Sequence, residues 1–308
     1  MNIHEPAVWW TLSPQEASLA AAKRGPMRLG FAVLLKFHTH RGRFPRDRAE
    51  LPDEAVKCLA RQLGLPASDL DTYPWTGRSV EYHRGQIREY RGFRECSVAD
   101  ATALTAHLAD IVARSERTPE RVHEELLERC RAQRIEPPAP GRCDRIVASA
   151  LHAAEEALTA QVCARLTPEA TQRIVSLVAA RTGASKADVP GGQMPENSRN
   201  DPPLLRMIKE PPAGASLQAI LAETDKLLAV RSIGLPRDLF TGIAPPVLAA
   251  WSTRGATESP SRLRDHPAPL RVALLAAFLH VRERELTDTL ADLLISLSGL
   301  MRSSPRAV

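Results

Sequence analysis

Two short tracts hold the residues that could do chemistry in this chain, and in both the chemistry is that of the guanidinium group. In Arg41-Gly42-Arg43-Phe44-Pro45-Arg46, Gly42 and Pro45 bend the chain, three arginines project from the bend, and Phe44 can anchor it to a core. A planar guanidinium presents paired donors that match phosphate oxygens, so such a loop is suited to clamp a phosphate backbone. The second tract, residues 78–94, carries Arg78, Arg84, Arg88, Arg91 and Arg94 against Glu81 and Glu89, a net charge of +3, interleaved with Tyr82, His83, Tyr90 and Phe93. Arg84, Arg88 and Arg91 fall at i, i+4 and i+7, one face of a helix, from which they could track one strand of a duplex. The competing expectation is a solvated basic face with its aromatics buried beneath it.

The first tract sits inside a wider excess of charge. Residues 23–48 hold Lys23, Arg24, Arg28, Lys36, Arg41, Arg43, Arg46 and Arg48 against Asp47 alone, a net of +7, while the whole chain of 308 residues nets +5 and the remainder therefore −2. An ordinary surface mixes its signs, whereas a one-sign cluster in a near-neutral chain builds a field suited to a polyanion. The expected contact set is thus Lys23, Arg24, Arg28, Lys36, Arg41, Arg43, Arg46, Arg78, His83, Arg84, Arg88 and Arg91. His38, His40 and His83 have no partners at metal-ligand spacing, which favours a polar or phosphate contact over a ligand role.

Other chemistries find no footing. The sequence contains no G-x-x-x-x-G-K-[ST] phosphate loop, no G-x-G-x-x-G after a strand, no G-x-S-x-G elbow and no H-E-x-x-H. Glu124, Glu125 and Glu128, and Glu155 with Glu156, lie among arginines at helical spacing, where solvated pairing accounts for them. The five cysteines include no C-x-x-C pair, and an odd number cannot pair completely within one chain, so they read as small hydrophobes in a reducing compartment. No metal and no cofactor is expected. Trp9, Trp10, Trp75 and Trp251 read as packing residues.

The elements that must position these arginines are helical. Ser13-Pro14-Gln15-Glu16 has capping-box spacing with proline at the first helical position, and the helix it opens ends near Gly25-Pro26. Met27 to Phe37 is apolar nearly all round, which predicts a buried helix with the basic tract as its exit loop. Asp53 to Leu63 reads as a helix closed by Gly64, with a short helix from Ala67; their net charge of −2 favours a helical hairpin over a groove-reading helix-turn-helix. Leu104, Leu108, Ile111 and Val112 form a stripe in a helix capped by Ser97, and Thr118-Pro119-Glu120 opens another running to about Arg131.

After Pro137, Pro138, Pro140 and Gly141, a stiff connector, come helices at 142–164 and 168–181. Gly183 to Pro203 has no periodic apolar face and reads as a flexible linker. Beyond it lie helices near 216–230, 245–254 and 269–281, then one with Leu286, Leu290, Leu293, Leu294 and Leu297 on a face. The expected class is all-α, with helical DNA-binding subdomains divided as 1–135, an extension at 136–182, the linker at 183–203 and a second helical domain at 204–304. The apolar stretches Val272 to Leu279 and Leu29 to Phe37 are far shorter than the roughly 20 residues that span a bilayer, and the start MNIHEPAVWW has no secretion signal, so no membrane and a cytoplasmic, nucleoid-associated location are expected.

At these same tracts the sequence resembles the amino-terminal region of Tn-three family replicative transposases. The runs are Trp10-Thr11-Leu12, KRGPMRLGFAVLLKF at 23–37, GRFP at 42–45, ELPDEAV at 50–56, YPWTGRSVEYHRGQIRE at 73–89, GFRE at 92–95 and RIEPPAPGRCDRIVASAL at 134–151. A looser likeness continues through LLRMIKE at 204–210, residues 225–240 and HPAPLRVALLAAF at 266–278. The resemblance implies successive helical domains that bind double-stranded DNA and recognise the transposon's terminal inverted repeats. It also implies a further RNase H-like domain with a metal-binding acidic triad, for which this sequence has no counterpart, so no catalysis is expected of this chain alone. Two alternatives stand beside it: a protein-interaction module, using the Leu286–Leu297 stripe to dock on the remainder of a transposase or a second copy, and a truncated competitor that regulates an intact transposase.

Overall fold

The computed structural model describes residues 7–179, 202–212, 214 and 216–303. It is all-α, with a single pair of two-residue strands among the described residues. The chain divides into two compact units, one taking residues up to Ala106 together with His123–Val147, the other His107–Val122 and the chain from Ala148 onward. Residues 183–201 of the expected linker lie outside the described residues.

The first unit is built around one buried helix. Helix α1 (Pro14–Ala21) opens with the capping box in full: Ser13 Oγ accepts from the Glu16 amide at 3.2 Å and Glu16 Oε2 accepts from the Ser13 amide at 2.8 Å. Helix α2 (Pro26–Arg41) is buried continuously from Leu29 to His38, as its all-round apolar sequence predicts. Its one interior cation, Lys36, lies 3.1 Å from Glu16, and both side chains are buried. Glu16 thus caps its own helix and neutralises the core of the next. At Gly30 a Cβ would fall 2.1 Å from the Tyr73 ring, so the ring and the helix backbone meet only because no side chain intervenes.

Around α2 pack α1, α3 (Asp53–Leu63), a 3-10 turn at Ala67–Thr72 and α4 (Arg78–Arg91). Trp10, Phe31, Phe37, Phe44, Leu59, Tyr73, Val80 and Ile87 fill the shared core. The segment after Gly64 is this 3-10 turn rather than an α-helix, in keeping with a compact hairpin. A feature with no sequence signal is the parallel pairing of β1 (Arg94–Glu95) with β2 (Ile135–Glu136), in which Glu95 stands opposite Glu136. Two residues are too few for any alternation to show.

Helix α5 (Val98–His107) runs into a π-turn at Leu108–Val112, and α6 follows at Pro119–Ala132. The π-turn corrects one expectation. Its wider ring, with the Ala113 amide donating to Leu108 O, passes burial from Leu108 to Ala113 and leaves Ile111 65% exposed.

In the second unit the later part of α7 (Pro140–Cys163), with α8 (Pro168–Ser176), shares one core with α9 (Pro203–Lys209), α10 (Leu217–Ser232), α11 (Pro245–Thr257), α12 (Pro260–Asp265) and α13 (Ala268–Ser303). The two helices expected at 269–281 and 286–297 are one, because the charged run Arg282 to Glu285 contains neither glycine nor proline and closes an Arg282–Glu285 pair at 3.1 Å. Leu286 and Leu293 face the core, while Leu294 points to solvent. No helix among the described residues is long and apolar enough to cross a membrane.

Candidate nucleic-acid interface

Helix α2 ends at Gly42, whose φ of +67° lets the chain reverse at once into the basic loop. Three anchors hold the loop. Phe44 inserts into the core of the first unit. Arg131 Nη2 donates to the Arg41 carbonyl at 3.3 Å. Glu50 accepts from Arg43 at 2.7 Å and pairs with Arg46 at 3.5 Å. The Arg43 guanidinium also lies 5.2 Å from the Phe37 ring centroid. The most exposed guanidinium of the loop is that of Arg46, whose side chain is 63% exposed, and Arg41 is exposed beside it.

Helix α4 brings the second basic tract to the same place. Arg84 lies over the Phe44 ring at 5.5 Å and pairs with Glu81 at 3.2 Å. Arg43, Arg46 and Arg84 line one cleft of about 400 Å³, which Pro137–Pro140, His123 and Glu136 line as well. The proline run read as a connector therefore also lines the cleft that three arginines share. Two tracts that are about forty residues apart in sequence converge here.

Other residues of the expected set are placed differently. Arg88 is only 14% exposed and bridges Glu95 at 2.6 Å and Glu136 at 2.8 Å, the two carboxylates that β1 and β2 set side by side. Burial pushes the Glu136 carboxyl up despite this pairing. Lys36 is sealed in its ion pair with Glu16. His83 is buried with Nδ1 2.9 Å from the Tyr73 hydroxyl, and burial, aided by Lys23, pushes it down to about 4, so it carries no charge near neutrality. Arg91 is half-buried, as is Arg28, and the Nε of each is shut off from solvent without a partner. Lys36, His83 and Arg88 are thus committed inside the protein, since helical spacing places residues on a face without saying which way that face turns.

Around the edge, Lys23 Nζ donates to Gln86 Oε1 and sits 5.2 Å from the Tyr82 ring centroid, with Arg24 and Arg78 exposed nearby in sequence. Tyr82 is 62% exposed and Tyr90 39%, so these two aromatics are not buried beneath the basic face. Trp9, also exposed, stacks on His40 at 5.2 Å. His38, which the sequence left as a polar contact, is 1% exposed between Phe44 and Phe93 with neither ring nitrogen hydrogen-bonded. Among the described residues no group of three or more His, Cys, Asp or Glu could hold a metal ion.

Residues 4–150, which include every residue of this cleft, match the family described as a domain of unknown function, DUF4158. Over 281 residues the chain is 24% identical to the transposase for transposon Tn1546 of Enterococcus faecium. That match takes in 91% of this chain and 27% of the relative. The chain is therefore transposase-related, and it spans about a quarter of the curated relative it matches.

Proposed function

We propose that this chain binds double-stranded DNA and supplies recognition of transposon terminal inverted repeats within a transposase, the cutting and joining of strands belonging to a catalytic domain not present in these residues. The observation that carries it is the convergence of Arg43, Arg46 and Arg84 on one cleft, because arginines gathered around a shared space from a loop and a helix suit consecutive phosphates. Phosphate contact falls to Arg41, Arg43, Arg46 and Arg84, with Lys23, Arg24 and Arg78 on the adjoining surface. Lys36, His83 and Arg88 hold the fold that carries them. Fluorescence anisotropy of the full chain, across a salt series, with a duplex bearing a terminal inverted repeat of the Tn1546 type and a scrambled control tests the proposal. A preference on the order of 10³ with steep salt dependence is expected. Equal binding to both duplexes would remove repeat recognition, and no binding would remove the DNA reading.

One observation favours a second role, docking to the remainder of a transposase or a second copy. Leu217, Leu221 and Leu228 on α10 are each more than half exposed and share one helical face. Light scattering of the full chain before and after Leu221→Glu and Leu228→Glu reports on it: self-association abolished by the changes supports a second copy as the partner, and a monomer throughout removes that partner.

A further inference from the structure

Helix α4 has two faces in different states. Val80, His83 and Ile87 are buried, Arg88 beside them bridges Glu95 and Glu136, Arg91 is half-buried, and Arg84 lines the cleft. The opposite face is open, and Arg78, Tyr82, Gly85 and Glu89 run along it at i, i+4, i+7 and i+11. Gln86 stands beside this line. Its amide is held on both sides, Lys23 Nζ donating to Oε1 and Nε2 donating to the Tyr82 hydroxyl at 3.1 Å. An amide fixed in this way has lost its rotamer freedom before any ligand arrives.

Gly85 gives an independent indication. Glycine is the poorest helix former apart from proline, yet Gly85 sits mid-helix, and a Cβ there would meet nothing within 4 Å. Neither backbone conformation nor packing within the chain asks for glycine at this position. What its missing side chain permits is close approach of something else to the helix backbone. Cations lie on both sides of this open face: Lys23 at the Gln86 edge, with exposed Arg24 next to it in sequence, and Arg84, which shares a cleft with Arg43 and Arg46, on the other side of the helix.

We infer that α4 is the groove-reading helix of the DNA complex, its open face of Arg78, Tyr82, Gly85, Gln86 and Glu89 meeting base edges in the major groove while the basic edges hold the two phosphate strands. The inference rests on the DNA-binding reading above and adds the element that reads sequence. A major groove about 12 Å wide admits one α-helix, and the residues here are those that discriminate bases in it. Gln86 offers a donor and an acceptor to adenine, Arg78 two donors to guanine O6 and N7, and Glu89 an acceptor to the cytosine amine. The net charge of −2 on residues 53–72 makes α3 and its following turn poorer candidates for the same place.

The test is selection from a random-sequence duplex pool with the full chain, followed by anisotropy on the enriched duplex and a scrambled one. Wild type is expected to enrich a defined sequence. Gln86→Ala should relax the enriched motif at one base pair and weaken the enriched duplex roughly 5- to 100-fold. Gly85→Leu should weaken that duplex by a similar factor and leave the scrambled one within about threefold. Because Gly85 has open space where a Cβ would sit and Gln86 is half-buried at the helix edge, outside the core, thermal melts should show both variants folded, and Gly85→Ala, which favours the helix, controls for backbone effects. Enrichment of an unchanged sequence at unchanged affinity by both variants would overturn the groove assignment while leaving DNA binding intact. So would a wild type that enriches nothing yet binds every duplex. Failure of wild type to bind any duplex would bring down the DNA reading and this inference together.

Discussion

His38 should make this protein lose stability on mild acidification, by an amount the structure sets. The side chain is 1% exposed, in ring contact with Phe44 and Phe93, and has no hydrogen bond at either nitrogen. Burial first, and then the charges of Arg91 and Arg88, pushes it from 6.5 down to about 4. Between those values the unfolded chain takes up a proton that the folded chain refuses. Stability therefore falls as pH drops from about 6.5 towards 4 and is fully present above that window. A shift of this size amounts to about 3 kcal/mol at most, and roughly 2 kcal/mol of it should be lost between pH 7 and pH 5. The assay is urea unfolding of wild type and His38→Phe at both pH values. Phenylalanine keeps a ring against Phe44 and Phe93 and cannot titrate. Its extra volume affects stability equally at both pH values, and contributions from the second unit, His280 included, are the same in both proteins, so the difference of differences isolates the imidazole. His83, pushed down to about 4 as well, adds a similar term to both proteins and cancels. An identical pH dependence in His38→Phe and wild type would refute the reasoning.

Arg88→Met should destabilise the first unit by about 3 kcal/mol, since it leaves Glu95 and Glu136 opposed with no cation between them; the exposure of Glu95 keeps this at the low end of the range for broken buried pairs. Its melting temperature should drop by roughly 6–12 °C, and a drop under 2 °C would show that the bridge contributes little. Arg46→Ala, by contrast, should leave the melting temperature unchanged and lower the salt slope of duplex binding by about one unit, so an unchanged slope would remove Arg46 from the interface. Lys36→Met alone strands Glu16 in the core and should cost about 3–5 kcal/mol by chemical denaturation, with Lys36→Met/Glu16→Gln recovering part of it; equal losses would mean that the charge is not what is stranded. Gly85→Ala should raise helix stability by about 1 kcal/mol, visible in the same melts, and no gain would contradict a regular helix open to solvent there.

Local signals in the sequence carried far, because helix ends are set by short-range chemistry. Ser13 and Glu16 define the start of α1, Gly42 and Gly64 the ends of α2 and α3, and the unbroken apolar run at Leu29–Phe37 marks the buried helix. The misses were of a different kind. The π-turn at Leu108–Val112 depends on one backbone bond, and no residue type announces it. The break expected after Val281 falls at the charged run Arg282–Glu285, and polarity alone does not stop a helix.

At the interface the limit of sequence is sharper. Charge and spacing single out twelve contact residues, and neither property records whether a cation already has a carboxylate. Arg84 and Arg88 are one helical turn apart and both are paired, yet Arg84, whose partner is exposed Glu81, lines the cleft while the less exposed Arg88 is committed to two glutamates, one of which arrives from β2 across forty-eight residues of sequence. The same blindness hides the open face of α4, whose Gln86 and Gly85 carry no charge to draw attention. A field is legible from counts of charge, since it sums over all of them. A binding site depends on which of those charges the fold leaves accessible and gathers in one place, and only the fold tells that.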